Sequence, residues 1–288
     1  MNIGSFQLQG KPLFGVFGLN TVSPASGSLQ ARYRCLRDLL DDGALEMLKD
    51  SSNLSTPVLL DDIIFLPPIP NPRKIICVGL NYIKPYPVDG VPPPNPENII
   101  LFGKERETLL GHLDPLEIPK GEAAKSFDYE GEIAVVIGKS ARDVSVNDAL
   151  DYVLGFSIFN DGSVREWQKH SIYAGKNFAS SGSWGPWITT ADALPSVEKM
   201  ALNVALNGQT VQSAFGYEMI FSLAQQIAYA SSLFTLRPGD VIATGSPDGT
   251  GGSRKPKRYL QEGDSVSMSV TGIGTLSNRV VTSATTNR

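Results

Sequence analysis

The run Phe127-Asp128-Tyr129-Glu130-Gly131-Glu132 sets three carboxylates two residues apart and leads straight into the apolar segment Ile133-Ala134-Val135-Val136-Ile137. On a strand, positions i, i+2 and i+4 share a face, so Asp128, Glu130 and Glu132 are expected to point the same way, with neighbours under about 7 Å apart. Like charges that close repel by roughly 1 kcal/mol in water and several-fold more near a protein interior. One resolution is a solvated acidic face on an edge strand. The other is a hard cation, because carboxylate oxygens with water in the open positions suit Mg²⁺, Mn²⁺ or Ca²⁺ and not zinc. Asp161 ends the strand-like run Gly155-Phe156-Ser157-Ile158-Phe159-Asn160 and offers a further carboxylate at a strand end. Arg165, Gln168 and Lys176 follow with cationic and amide donors. Taken singly, these three read equally well as a surface ion pair, an exposed helix residue and a solvated loop charge.

The elements that must hold these residues are mostly strands. Ile75-Ile76-Cys77-Val78 and Ile133 to Ile137 are short apolar runs of the kind buried strands carry. Val266, Met268 and Val270 alternate with Ser265, Ser267 and Ser269, which predicts a half-buried antiparallel strand. Gly239-Asp240 and Gly263-Asp264 each stand where a turn should precede a strand. Ile220, Leu223, Ile227, Ala230 and Phe234 recur at three- or four-residue spacing and predict a helix between Met219 and Phe234. A shorter helix is expected after Ser145 as N-cap, with Asp148 in its first turn. Residues 31–49 hold two short helical patterns, with Leu36, Leu39 and Leu40 on one face and Leu45 and Leu48 beyond Gly43. The strip Leu66-Pro67-Pro68-Ile69-Pro70-Asn71-Pro72 can neither continue a helix nor sit in a central strand, so it reads as an extended linker. The expected organisation is a small N-terminal α/β piece over residues 1–70 and a mostly β, α+β catalytic domain over residues 71–288.

Composition narrows the function classes. Hydrophobic residues at 41% and charged residues at 19% fit a folded, soluble chain. A formal charge of −4 carries no basic footprint for a nucleic-acid binder. Cys35 and Cys77 are far apart and lack a metal-ligand spacing, which argues against a disulfide framework or a zinc ribbon. No run of about 18 apolar residues predicts a membrane span, and Met1-Asn2-Ile3-Gly4-Ser5 does not look like the start of a leader, so the expected location is cytoplasmic.

Several motifs in one order resemble the fumarylacetoacetate hydrolase family. They run from Lys74-Ile75-Ile76-Cys77-Val78-Gly79-Leu80-Asn81-Tyr82 through Asp128-Tyr129-Glu130-Gly131-Glu132, Asn160-Asp161 and Gly175-Lys176-Asn177-Phe178 to Pro238-Gly239-Asp240-Val241-Ile242 and Thr244-Gly245-Ser246-Pro247. The resemblance implies a mixed β-roll or sandwich, a homodimer, and a divalent metal, Mg²⁺ or Mn²⁺, held by Glu130, Glu132 and Asp161 with Asp128 supporting them. It also implies that Arg165, Gln168 and Lys176 form an oxyanion-binding set for a small 2-keto acid, enol or 1,3-dicarbonyl. Ser246, where the family usually has threonine, would offer a hydroxyl to a substrate carboxylate, with Gly245 and Tyr82 beside it. Otherwise Gly245-Ser246-Pro247 is an ordinary turn.

One departure bears on the reaction. Family members that cleave C–C bonds follow the Gly-Leu-Asn-Tyr motif with a histidine and then a glutamate that activate water, and here those positions are Pro85 and Val88. The prolines at 85, 87, 92, 93, 94 and 96 also forbid the lid helix that relatives place there. The expectation is an enzyme that stabilises an enolate and tautomerises, decarboxylates or cyclises its substrate, with Lys176 as acid or base if its neighbours lower its pKa. The alternatives are a C–C hydrolase with His112, His170 or a metal-bound water as base, and an inactive module that keeps the chelating pocket.

Overall fold

The computed structural model describes residues 1–83 and 94–282, so Pro85, Val88 and most of the proline-rich segment lie outside the described residues. Among the described residues, a twelve-stranded sheet and a five-stranded sheet supply most of the regular structure. The middle of the large sheet is the site's scaffold: Gly182–Thr190, Val153–Asn160, Gly131–Ile137, Val241–Ala243, Ile75–Gly79 and Ile100–Gly103 lie side by side in that order. Most pairs are antiparallel; Val241–Ala243 runs parallel to Ile75–Gly79.

Gly131–Ile137 is buried along its whole length because both faces of the sheet are covered. Ile133, Val135 and Ile137 face a core shared with Leu202, Val204, Val266 and Met268 of the five-stranded sheet and with Leu223 and Ile227 of a helix. Ala134 and Val136 face a second core that holds Trp184, Ile188 and Val241 with Leu36, Leu39 and Leu48 of the N-terminal helices. The expected Ser265–Val270 strand is present, and Val266, Met268 and Val270 are its buried residues. Gly239 and Gly263 both have positive φ, 81° and 87°, in the turns before their strands.

Three expected elements differ. The helix spans Leu223–Leu233 and starts four residues later than the apolar spacing suggests. Ser222 accepts from the Gln225 N–H while the Gln225 side chain accepts from the Ser222 N–H, a reciprocal cap that fixes the first turn there. After Ser145 no α-helix forms: the hydroxyl closes a turn onto Asp148, donating to its carboxylate at 2.7 Å, and a 3-10 turn follows at Ala149–Tyr152. Phe127–Glu132 is not one strand either. Phe127–Asp128 pairs with Ser163–Val164 in a small separate ladder, and the large-sheet strand begins only at Gly131, so Asp128 does not share a strand face with Glu130 and Glu132.

The N-terminal residues carry strands that the sequence reading did not place. Asn2–Leu8 and Lys11–Phe17 form a hairpin whose turn residues Gln9 and Gly10 both have positive φ, 49° and 80°. Asn2 and Ile3 pair in turn with Thr189 and Ile188, so this hairpin extends the large sheet. Ile69 of the proline-rich strip is fully buried in the second core. Among the described residues no helix is long and apolar enough to cross a membrane.

Candidate active site

Two antiparallel strands bring the carboxylates together. Gly131 lies opposite Asn160, and one further ladder bond, from the Asp161 N–H to the Glu130 carbonyl at 2.8 Å, sets Glu130 directly across from Asp161. Glu132 enters from the same strand, and its Oε2 accepts the Gly245 N–H at 2.9 Å. Gly245 has φ +102°, and a Cβ there would stand 2.7 Å from Asn81 Cβ, so only glycine brings that amide so close. One oxygen from each of Glu130, Glu132 and Asp161 lies within 4.8 Å of the others. An all-carboxylate set on two buried strand ends, with no nitrogen or sulfur donor in it, fits a hard divalent cation.

Cations already face this group. Lys176 Nζ donates to Glu130 Oε2 at 2.5 Å and to Asp161 Oδ2. Arg165 bridges Glu130 and Asp128, with Nε 2.7 Å from Asp128 Oδ2. Burial would raise the Glu130 pKa, but Lys176 and Arg165 outweigh it and hold the carboxyl at about 2. Glu132 goes the other way: burial, then Asp161 and Glu130, push it well above the usual carboxylate range. Burial would lower Lys176, yet Asp161 and Glu130 together raise it. The condition set for Lys176, neighbours that lower its pKa, is not met: in this arrangement they hold the ammonium form, which makes it a donor.

Asp128 stands behind the group. It is fully buried and accepts the N–H groups of Gly251 and Gly252, each at 2.8 Å, as well as Arg165 Nε. A Cβ on Gly251 would come within 2.6 Å of Asp128 Oδ1, so this approach also demands glycine. Gln168 stands one turn from Arg165, and Arg165 Nη1 reaches its Oε1 at 3.4 Å.

Glu130, Glu132, Arg165, Gln168, Lys176, Tyr82 and Ser246 all line one cavity of about 380 Å³. Gly245 touches it through Glu132, and Asp161 and Asp128 lie beneath it. Among the described residues the buried Arg165 Nη2 has no hydrogen-bond partner, and the buried Tyr82 hydroxyl faces the Thr244 side chain. Burial, then Glu132 and Glu218, raise the Tyr82 pKa, so the phenol keeps its proton. Ser246 Oγ accepts from Gln212 Nε2 at 2.9 Å, and Gln212 Oε1 accepts the Gly131 N–H at 3.0 Å. That links the serine loop to the carboxylate strand.

The histidines are elsewhere. His112 Nδ1 accepts the Ser277 N–H at 3.0 Å, its ring packs edge-on against Phe65, and burial lowers its pKa to about 4. His170 is exposed and packs on Trp167. Neither lines the cavity, so neither is placed as a relocated base.

The sequence reading gave no role to Lys104, Gln212 or the Gly251-Gly252 pair, and quoted Asn81 only as part of a motif. Lys104 is wholly enclosed, with Nζ 2.8 Å from Asp161 Oδ1 in an ion pair rather than an aligned hydrogen bond. Asn81 ties the first motif to the last, donating to the Thr244 carbonyl at 2.7 Å and accepting the Phe221 N–H at 2.8 Å. The one available signal was Asn81 inside the Gly-Leu-Asn-Tyr motif; a lysine at the end of an apolar strand carries none.

Comparison with known proteins agrees with this geometry. The model of the fumarylacetoacetate (FAA) hydrolase C-terminal family matches residues 74–281. The mitochondrial oxaloacetate tautomerase fahd2 of Xenopus laevis is 35% identical over 273 residues, which cover 92% of this chain and 82% of that protein. A fumarylacetoacetate hydrolase from the psychrophile Exiguobacterium antarcticum superposes with TM-score 0.85 at 31% identity, over 98% of this chain and 100% of that one. A maleylpyruvate hydrolase from Sphingobium sp. SYK-6, solved with manganese(II) and pyruvate, superposes with TM-score 0.80 at 26% identity, over 99% and 100% of the two chains. The fold, the spaced motifs and the carboxylate group thus have one common explanation: this chain is an enzyme of the fumarylacetoacetate hydrolase family.

Proposed function

We propose that this enzyme interconverts the enol and keto forms of a small 2-keto acid or 1,3-dicarbonyl, in a reaction that needs a divalent metal and hydrolyses no C–C bond. The observation that carries it is the make-up of the cavity: oxygen-only carboxylates and a cluster of donors meet there, and among the described residues no histidine lines it. The 35% identical relative named as an oxaloacetate tautomerase supports the reaction type, and the manganese(II) and pyruvate of the maleylpyruvate hydrolase structure support the metal and the keto-acid class. Glu130, Glu132 and Asp161 would hold the ion, Mg²⁺ or Mn²⁺, which when bound supplies Lewis-acid polarisation of a carbonyl.

The chain's own residues do the rest. Four carboxylates, Asp128, Glu130, Glu132 and Asp161, face three cations, Lys104, Arg165 and Lys176, so adding a divalent charge turns the excess positive and favours an anionic substrate. Arg165 Nη2, buried and unpaired among the described residues, is the donor left for a carboxylate or enolate oxygen, with the Tyr82 hydroxyl on the same cavity. Gln168 and Ser246 line the same wall and complete the polar contacts. Lys176 Nζ holds the proton that an enolate carbon or oxygen would take. Asp128 fixes the Arg165 plane from behind.

Hydrolysis is the second reading, favoured by two of the structural relatives being named as hydrolases. The deciding assay follows enol absorbance together with product masses for oxaloacetate and a panel of acylpyruvates with Mn²⁺-loaded protein, since cleavage also removes the enol band. Enol decay faster than with Mn²⁺ alone, and lost on chelation, is expected; decay no faster than with Mn²⁺ alone would sink the reading.

The same proposal includes a homodimer, a cytoplasmic location, and residues 1–70 as an appendage that braces the catalytic part, residues 71–288. Family likeness supports the dimer, and the second core supports the bracing. Sedimentation equilibrium should give twice the 31.0 kDa chain mass, and a single species at the chain mass would refute the dimer. Fractionation of the source cells tests the location, for the Xenopus relative is named mitochondrial.

A further inference from the structure

We propose that Lys104 is a positioning residue for the carboxylate group: a fixed cation behind Asp161 that holds Oδ1 and leaves Oδ2 as the oxygen presented to the cavity. The inference rests on Glu130, Glu132 and Asp161 being the metal ligands. Lys104 follows the Ile100–Gly103 strand, and its N–H is tied to the Ile75 carbonyl at 3.1 Å. Its shaft runs over Gly182, where a Cβ would stand 3.2 Å from Lys104 Cε, so the absence of a side chain there opens the channel for the lysine. The side chain has no exposure to solvent.

Lys104 Nζ has three oxygens around it, donating to two carbonyls and pairing in charge with one carboxylate oxygen. They are Asp161 Oδ1 at 2.8 Å, the Gly162 carbonyl at 3.1 Å and the Lys176 carbonyl at 2.5 Å. The same group therefore anchors both the carboxylate and the backbone of the lysine that meets it from the other side. Lys176 Nζ takes Oδ2 and Glu130, at the cavity; Lys104 takes Oδ1, away from it. The two lysines differ in access: Lys176 lines the cavity and can yield its place on Oδ2, whereas Lys104 does not line it and stays. With Lys104 removed, Asp161 keeps no fixed orientation once Lys176 is displaced, and a ligand that must reorient binds more weakly.

The test measures Mn²⁺ affinity of the full chain by calorimetry, with free Mn²⁺ followed by electron paramagnetic resonance. Lys104→Gln keeps donors for the two carbonyls but frees Asp161 Oδ1, and this loss of orientation outweighs the more negative ligand set, so it should weaken Mn²⁺ binding about 10–100-fold. Lys104→Met should do the same or more. Thr108→Val is the control: Thr108 is buried in the same loop and its hydroxyl donates only to the Glu105 carbonyl at 2.7 Å, so this change should lower the melting temperature and leave Mn²⁺ affinity alone. Because Lys104 touches no substrate, activity of Lys104→Gln should return toward wild type at saturating Mn²⁺. Unchanged Mn²⁺ affinity in both lysine variants would overturn the assignment, as would an equal loss in Thr108→Val. Failure of both lysine variants to fold would make Lys104 a residue of the fold and overturn it equally. Absence of Mn²⁺ binding in the wild type would instead defeat the metal reading itself.

Discussion

Glu132→Ala is expected to abolish both metal-dependent thermal stabilisation and activity. A ligand that binds only the folded state stabilises it by RT ln(1 + [L]/Kd), about 2.7 kcal/mol at a concentration one hundred times Kd. Among the described residues Glu132 is the member of the group in no ion pair: its Oε2 accepts the Gly245 N–H, and burial, then Asp161 and Glu130, raise its pKa more than Lys176 lowers it. It is thus the carboxylate with most to gain from an added positive charge. Without it, Glu130 and Asp161 keep Lys176 as their counter-ion and nothing draws a divalent ion into the site. Melting curves with and without Mg²⁺ or Mn²⁺ decide the point. A shift in Glu132→Ala equal to that of wild type would place the ion elsewhere.

Lys176→Met should change the metal response in the opposite sense. Removing one partner of a buried ion pair costs about 3–5 kcal/mol, because the other charge is left uncompensated. Here two carboxylates, Glu130 and Asp161, lose their shared ammonium, so the metal-free variant should be much less stable than wild type. A divalent ion restores the missing charge at the same oxygens, and the metal-induced rise in melting temperature should therefore exceed that of wild type. Activity should still fall, by about 10²–10³-fold, since a donor aimed at developing negative charge is gone. Metal stabilisation no larger than in wild type would mean that Lys176 and the ion do not share their carboxylates.

How much of this was legible in the sequence depends on how locally each feature is encoded. That Glu130, Glu132 and Asp161 stand at strand ends was readable from neighbouring apolar runs, while their grouping came only with the family resemblance; the Ser265–Val270 strand was readable because one face is buried and the other is not. The Asn2–Leu8 strand was invisible because Ile3 and Phe6 fall in different cores, which leaves no two-residue period. The same double burial lets Lys104 look like any charge at the end of a strand; only a fold that closes over it makes it an internal cation. Asp128 was expected on one strand face with Glu130 and Glu132, whereas Phe127–Asp128 pairs with Ser163–Val164 in a separate ladder. Asp128 reaches these carboxylates through Arg165 and the Gly251-Gly252 amides, contacts across more than thirty residues of chain that a strand pattern cannot encode. The helix start at Ser222 was encoded locally, in Ser222 and Gln225, but the apolar spacing extends past it.

The central claim is metal-dependent enolisation without hydrolysis, and the most direct test is to run the reaction in H₂¹⁸O. Protein loaded with Mg²⁺ or Mn²⁺ is given an acylpyruvate or oxaloacetate, and enol absorbance and product masses are followed together. A cavity that holds the donors but, among its described residues, no histidine should interconvert enol and keto forms and leave no cleavage-derived ¹⁸O in any product, after correction for ordinary ketone exchange. Rapid, metal-dependent cleavage of the acylpyruvate into two acids, one carrying ¹⁸O from water, would contradict the account.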